Sequence, residues 1–231
     1  MSDNQIEKEF EDFVYIVSHD MAAPQRHIRE FTKLLLGSID VPLSDEQKTY
    51  YQFIESGLGR LEKMQAALLD FSRITTQGAE FESFDSVACI NRVLQKLSGK
   101  ICDKAVEIDC PSTLIPVMGD EEQIGTVFYH LIDNALTYNE NAHPHIRISA
   151  VVKGDRVEWS VEDNGIGIAN GHGEHIFTMF RRLHSADAYG GGVGAGLALA
   201  RKIIRRHGGE LNYQSENGRG AIFQFSLPVA E

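Results

Sequence analysis

A chain of 231 residues, 42% hydrophobic and 24% charged, has room for two modest globular domains and is too apolar for disorder. Its net charge of −11, with no stripe of Lys and Arg, argues against nucleic acid and against an electrostatic membrane anchor. No apolar run approaches the ~18 residues that span a bilayer, and the polar start Met1-Ser2-Asp3-Asn4 is unlike a signal peptide. Cys89, Cys102 and Cys110 are odd in number and fit no metal-ligand spacing. They read as small buried residues of a protein in a reducing cytoplasm.

The first predicted element is a long helix. Apolar residues at Phe10, Val14, Val17, Met21, Pro24, Ile28, Phe31 and Leu35 recur in alternating steps of four and three, a heptad seam. Pro24 is expected to bend it. Gly37 to Ser44 reads as a turn, with Gly37 as helix stop and Ser44 as N-cap. A second seam follows at Tyr50, Ile54, Gly57, Leu61, Met64, Leu68 and Phe71, with Tyr51, Leu58 and Leu69 on an alternate face. Two helices cannot hide both wide faces, and each buried Leu or Phe is worth about 1.5–3 kcal/mol. Two hairpins paired in a four-helix bundle solve this, which predicts a homodimer. The alternative is a helix pair packed on the second domain.

His19 falls at heptad position f of the first helix, on the solvent face, with Asp20 beside it and Pro24 five residues on. A neutral imidazole there has a lone pair to attack phosphorus. A carboxylate on the other ring nitrogen would fix the tautomer and accept the proton.

The segment from Thr75 to Ser83 is polar, contains Gly78 and has no helical period. It divides the chain into a helical domain at 1–76, a linker at 77–83 and a second domain at 84–231. That domain reads as a helix over about 87–97, short strands at 106–110 and 115–118, and a helix from Asp120 to Tyr138. A β-hairpin at 146–152 and 157–161 turns at Lys153-Gly154-Asp155-Arg156. A Gly-rich irregular stretch, 164–192, precedes a helix over 194–207 that Gly208-Gly209 ends. A closing hairpin, 210–215 and 221–227, turns at Asn217-Gly218. The predicted class is α+β: a helical hairpin followed by an α/β sandwich with a mixed sheet.

The polar residues of this domain suggest a nucleotide pocket. His130, Asn134 and Tyr138 share a helix face at i, i+4 and i+8. The Asn134 amide oxygen suits Mg²⁺, which keeps waters and phosphates as its other ligands. Tyr138 offers a ring to a base. Asp163 ends a buried strand and can accept from an exocyclic amine, of adenine or of guanine. Gly165 and Gly167 are expected to let backbone approach the base. Gly192, Gly194 and Gly196, with Leu197, precede a helix and can present N–H groups to phosphates. Neither glycine cluster sits in a Rossmann unit, and the chain has no G-x-x-x-x-G-K-[ST].

These motifs in this order resemble the catalytic core of a two-component sensor histidine kinase. Val17-Ser18-His19-Asp20 with Pro24 resembles the phosphoacceptor box. His130 to Tyr138 resembles the N box, and Asp163 to Ile168 the first glycine box. Ile176, Phe177 and Phe180 resemble the phenylalanine box of the ATP lid, with Arg181 and Arg182 following. Gly192 to Leu197 resembles the second glycine box. Phe180 to His184 looks most like the phytochrome-like subgroup.

The resemblance implies a dimerization and histidine-phosphotransfer hairpin joined to a Bergerat-type ATPase domain. It also implies ATP and Mg²⁺ as cofactors and an aspartate of a response-regulator receiver domain as partner. Three residues depart from the family. Ala23 stands where Thr, Asn or Gln often positions water for phosphatase action. Thr137 replaces a Lys or Arg near the phosphates, and Ala195 replaces a Leu or Ile. The first helix begins within ten residues of Met1, which leaves no room for a sensory domain; the expectation is either a trimmed chain or a free-standing kinase regulated in trans by a separate sensor protein. The competing reading is a dimeric phosphotransfer or docking scaffold that no longer uses ATP; the retained Asn134, Asp163 and glycines favour the kinase. A stand-alone ATPase is disfavoured, because His130 stands where that superfamily often has a water-activating Glu.

Overall fold

The structure, a computed structural model, describes residues 3–230 apart from 40, 170, 172, 185–188 and 191. The chain forms two compact units, Met1–Thr76 and Gln77–Glu231. No described helix is long and apolar enough to cross a membrane.

The first unit is a pair of helices, α1 (Asp3–Gly37) and α2 (Asp45–Thr76). A capping box starts α2. The Gln47 N–H donates to Ser44 Oγ at 3.2 Å, and the Ser44 N–H donates to Gln47 Oε1 at 2.9 Å. Asp45 and Glu46 in the first turn suit the helix dipole. Pro24 lies inside α1, which continues past it. Its ring nitrogen cannot donate to the Asp20 carbonyl, so the backbone is loosened one residue from His19.

Within one chain α2 covers the seam of α1 at Val14 but leaves its second half open. Ile28, Phe31 and Leu35 are 50%, 66% and 67% exposed. The buried positions are Glu11, Val14, Ser18 and Gln25. On α2 they are Leu58, Ala67, Ser72 and Ile74. The hairpin interior is therefore partly polar. Arg29 crosses it, with Nε 3.3 Å from Glu55 Oε2 and Nη2 3.2 Å from Glu62 Oε2. The Gln65 amide donates to the Ser18 carbonyl.

The second unit holds β1 (Glu82–Asp85), α3 (Ser86–Lys96), α4 (Ser98–Asp103), β2 (Glu107–Asp109), β3 (Pro116–Gly119), α5 (Glu121–Thr137), β4 (His145–Lys153), β5 (Arg156–Asp163), a 3-10 turn (Glu174–Phe177), α6 (Gly196–Arg206), β6 (Leu211–Ser215) and β7 (Ala221–Pro228). The main sheet has the order β2-β4-β5-β7-β6; β2 and β4 are parallel and the other pairs antiparallel. Strands β1 and β3 form a separate antiparallel pair. Period-2 alternation selects the core face. Ile146, Ile148, Val157, Trp159, Val161, Phe223, Phe225 and Leu227 are buried. Phe128 of α5 packs edge-on against Trp159, ring centroids 5.2 Å apart.

Four expectations change. Of the cysteines read as buried only Cys89 is; Cys102 is exposed and Cys110 half-buried. Glu82 and Ser83, read as linker, belong to β1; Glu-Ser-Phe-Asp offers one apolar residue and no alternation. Helix α4 was not foreseen, because six residues hold too short a pattern. Helix α6 starts at Gly196 rather than Gly194, since Gly194 takes a φ of +77° that an α-helix does not accommodate.

Candidate functional site

Each unit carries one group of predicted residues. On α1 the His19 side chain is 76% exposed, and its Nδ1 lies 3.2 Å from Asp20 Oδ1. Tyr15, one turn earlier, stacks at a centroid distance of 6.4 Å and 26°. The helix face chosen by the seams delivers an imidazole to solvent with one nitrogen held.

In the second unit a cleft of about 780 Å³, counting its open mouth, forms between the last turns of α5, the end of β5 and the start of α6. The structure brings Asn134, Tyr138, Asp163, Gly167, Ile176, Arg181, Arg182, Gly194, Gly196 and Leu197 to its walls. Local sequence explains their placement. Asp120 caps α5 through a 3.1 Å bond from the Gln123 N–H, and the helix then carries Asn134 and Tyr138 on one face. Asp163 is the last residue of β5, opposite Ala221 of β7.

The cleft is electrically polarised. Arg181, Arg182 and His184 contribute cationic or protonatable groups from the stretch before α6, and Asp163 contributes the carboxylate. Burial pushes the Asp163 carboxyl up to about 6, against the backbone N–H donors of Gly165 and Ala221; the Glu162 charge adds to the rise. A carboxylate held back from ionising is poised to gain from a ligand donor.

Other predicted residues serve the walls from behind. Gly165 does not make room for a base. A Cβ there would collide with the Tyr138 carbonyl, which accepts from the Ile166 N–H at 3.0 Å. The space is taken by the protein's own backbone, where β5 leaves the sheet against the C-terminus of α5. His130 lies beneath Gly196, where a Cβ would come within 2.7 Å of Nδ1, and is not a wall residue. Gly192 is exposed, and its carbonyl accepts from Arg182 Nη1 at 2.6 Å. Phe177 is buried under the Arg201 guanidinium, 4.8 Å from its centroid, and against Tyr213. The Phe180 N–H donates to the Gly194 carbonyl at 2.9 Å, tying the phenylalanine box to the second glycine cluster.

The sequence reading missed Ile166, Ile168, Leu183, His184, Ala221 and Phe223, which also line the cleft. Ala221 and Phe223 follow from β7's inward alternation. Nothing in spacing marks His184. It joins Tyr138 and Tyr189 in an aromatic group with centroids 5.1–6.0 Å apart, and the Tyr189 hydroxyl donates to Glu140 Oε1 at 2.7 Å. Among the described residues no cluster of three or more His, Cys, Asp or Glu could hold a metal ion. The Asn134 amide lines the cleft, and an amide oxygen suits a cation that draws its remaining ligands from phosphates and water.

Residues 119–231 match the family of histidine kinase-, DNA gyrase B- and HSP90-like ATPases. The chain is 38% identical to cyanobacterial phytochrome B of Nostoc sp. over 225 residues, 95% of this chain and 29% of that protein. It is 32% identical to the phytochrome-like protein Cph1 of Synechocystis sp. over 217 residues, 94% of this chain and 29% of that one. It thus spans under a third of the length of these relatives. The full-length structure of ShkA in complex with AMPPNP superposes with a TM-score of 0.68 over 95% of this chain and 46% of that chain, at 24% identity, a likeness of fold. The ATPase-family match and the histidine kinase relatives aligned along 93–96% of the chain identify it as a catalytic core of the two-component histidine kinases.

Proposed function

We propose that the chain transfers the γ-phosphoryl group of ATP to His19 and then to an aspartate of a response-regulator receiver domain. The observation that carries this reading is the His19–Asp20 contact on an exposed helix face. With Nδ1–H directed at the Asp20 carboxylate, the lone pair sits on Nε2. Nε2 attacks the γ-phosphorus as the bond to the bridging oxygen breaks, and ADP leaves with that electron pair. The Asp20 carboxylate stabilises the cationic ring and takes up the Nδ1 proton.

The cleft supplies the nucleotide end of the reaction. Asp163 accepts from the exocyclic amine of adenine, and the Tyr138 ring packs beside the base. Arg181, Arg182 and the N–H groups at the start of α6 offset phosphate charge. Asn134 would hold Mg²⁺, which supplies charge neutralisation at the transferring phosphoryl group; such transfer relies mainly on positioning and electrostatics. The exposed seam of α1 supports pairing of two hairpins in a homodimer.

The test is incubation with γ-labelled ATP and Mg²⁺, followed by acid and base treatment. The reading expects label that is lost in acid and kept in base, as for a phosphoramidate. Label with the opposite stability, or none, contradicts it.

A further inference from the structure

The segment between α2 and the second unit is gripped at one end. Helix α2 ends at Thr76. From Gly78 to Phe81 the backbone lies against the ends of α5 and α6. The Ala79 N–H donates to Asp120 Oδ2 at 2.8 Å, and the Ala79 carbonyl accepts from Arg206 Nη2 at 2.6 Å. Arg206 Nη1 also reaches Asp120 Oδ2 at 3.2 Å and Gln123 Oε1 at 3.0 Å. Its guanidinium lies 4.8 Å from the Phe81 centroid. The Phe81 ring also stacks on His207, with ring centroids 4.4 Å apart at 15°.

His207 is fixed in turn. Its Nδ1 pairs with the Ile203 carbonyl at 2.8 Å, so Nδ1 carries the proton. Nε2 then accepts the Asp120 N–H at 3.0 Å. Asp120 and His207 are 5% and 2% exposed. One carboxylate does two jobs: Oδ1 caps α5 and Oδ2 holds the strap. Gly78 closes against Arg206 so tightly that a Cβ would collide with the guanidinium.

The grip is on the helix ends remote from the cleft. Asn134 follows Asp120 by roughly 20 Å of helix, and Arg206 follows Gly196 by roughly 15 Å, at the usual rise. The same two helices therefore carry the cleft at one end and the strap at the other. We propose that Arg206, Asp120 and His207 clamp the strap Gly78–Phe81 and act as positioning residues for phosphoryl transfer, a role that rests on the kinase reading. With the clamp closed, Gln77 alone lies between the end of α2 and the strap. With it open, the unheld chain grows by the whole strap. A longer tether lowers the effective concentration of the cleft at the phosphoacceptor and loosens its alignment.

The experiment uses the full chain and two variants. Arg206→Ala removes the fork. Gly78→Ala places a methyl where the guanidinium lies, so the Arg206 fork must shift off the strap, and leaves Asp120 and His207 unchanged. Amide exchange at Ala79, nucleotide affinity and the labelling rate at saturating ATP and Mg²⁺ are measured for each. The clamp predicts Ala79 exchange faster by at least about tenfold. It predicts nucleotide affinity within about twofold of wild type and labelling slower by about tenfold, of the order that small misalignments cost. Ala79 still protected in both variants overturns the clamp. Ala79 released with labelling unchanged overturns the positioning role. A wild-type chain that takes up no label overturns the kinase reading and the positioning role with it, while Ala79 exchange still decides whether the clamp exists.

Discussion

The Gly165 N–H donates to Asp163 Oδ1 at 2.8 Å, while a Cβ on Gly165 would strike the Tyr138 carbonyl. One tight turn thus sets the Asp163 carboxylate against the end of the helix that carries Asn134. The turn holds Asp163 in a place where burial raises its carboxyl to about 6.

The first prediction concerns the pH dependence of binding. An exocyclic amine donates more strongly to the ionised carboxylate than to the protonated carboxyl. Adenine-nucleotide affinity should hold above pH 6 and fall by up to about tenfold per unit below it, with proton release on binding near pH 6. Calorimetry in buffers of different ionisation enthalpy measures this. An affinity that is flat from pH 5 to 8, in wild type as in Asp163→Asn, contradicts the role of Asp163.

The second prediction concerns stability without nucleotide. A carboxyl whose folded value lies above its unfolded one favours the fold while protonated. Its contribution is complete below about pH 4 and is lost as pH rises through about 6. Asp163→Asn should therefore raise the Tm of the unliganded chain at pH 7–8, by a free energy on the order of 3 kcal/mol at about 1.4 kcal/mol per unit. The gain should shrink towards pH 4. Thermal unfolding across that range tests it; a variant less stable than wild type at pH 8 contradicts the account.

The sequence showed more of the fold than of the cleft's inner logic. Alternation placed β4, β5 and β7, and the i, i+4, i+8 row placed Asn134 and Tyr138 on one wall. Those signals are periodic, so a single chain displays them. The strap was invisible for the opposite reason. Gly78 to Phe81 has no period, and its partners Asp120 and Arg206 are distant in sequence. His130 misled because a helix face shows which residues line up, not what covers them. Gly196 sits on it. Gly165 was rightly marked as a close approach, but the approaching group is the Tyr138 carbonyl.

The third prediction is dimerisation through the face that one hairpin leaves open. Ile28, Phe31 and Leu35 are at least half exposed in one chain, an expensive surface to leave in water. Light scattering at micromolar concentration should read twice the 25.7 kDa chain mass. Phe31→Glu should shift the particle towards one chain. A wild-type particle at the single-chain mass refutes the pairing.

The fourth prediction concerns phosphate release from the regulator. The resemblance puts a polar, water-holding side chain one turn beyond the phosphoacceptor, where this chain has Ala23. Gln25 does not replace it. It is 5% exposed, inside the hairpin rather than on the His19 face. The unphosphorylated chain with ADP should leave a phosphorylated regulator decaying at nearly its own rate, and Ala23→Thr should quicken release. Fast release by wild type, unaffected by Gln25→Ala, would show that another group positions the water.

The central claim is that His19 accepts the phosphoryl group from a nucleotide held in the second unit. The most direct measurement compares wild type and His19→Gln for two quantities: label taken from γ-labelled ATP with Mg²⁺, and affinity for ADP by calorimetry. The account predicts that His19→Gln binds ADP like wild type and takes up no label, whereas Asp20→Asn labels slowly, by about a hundredfold. Undiminished labelling of His19→Gln would contradict it.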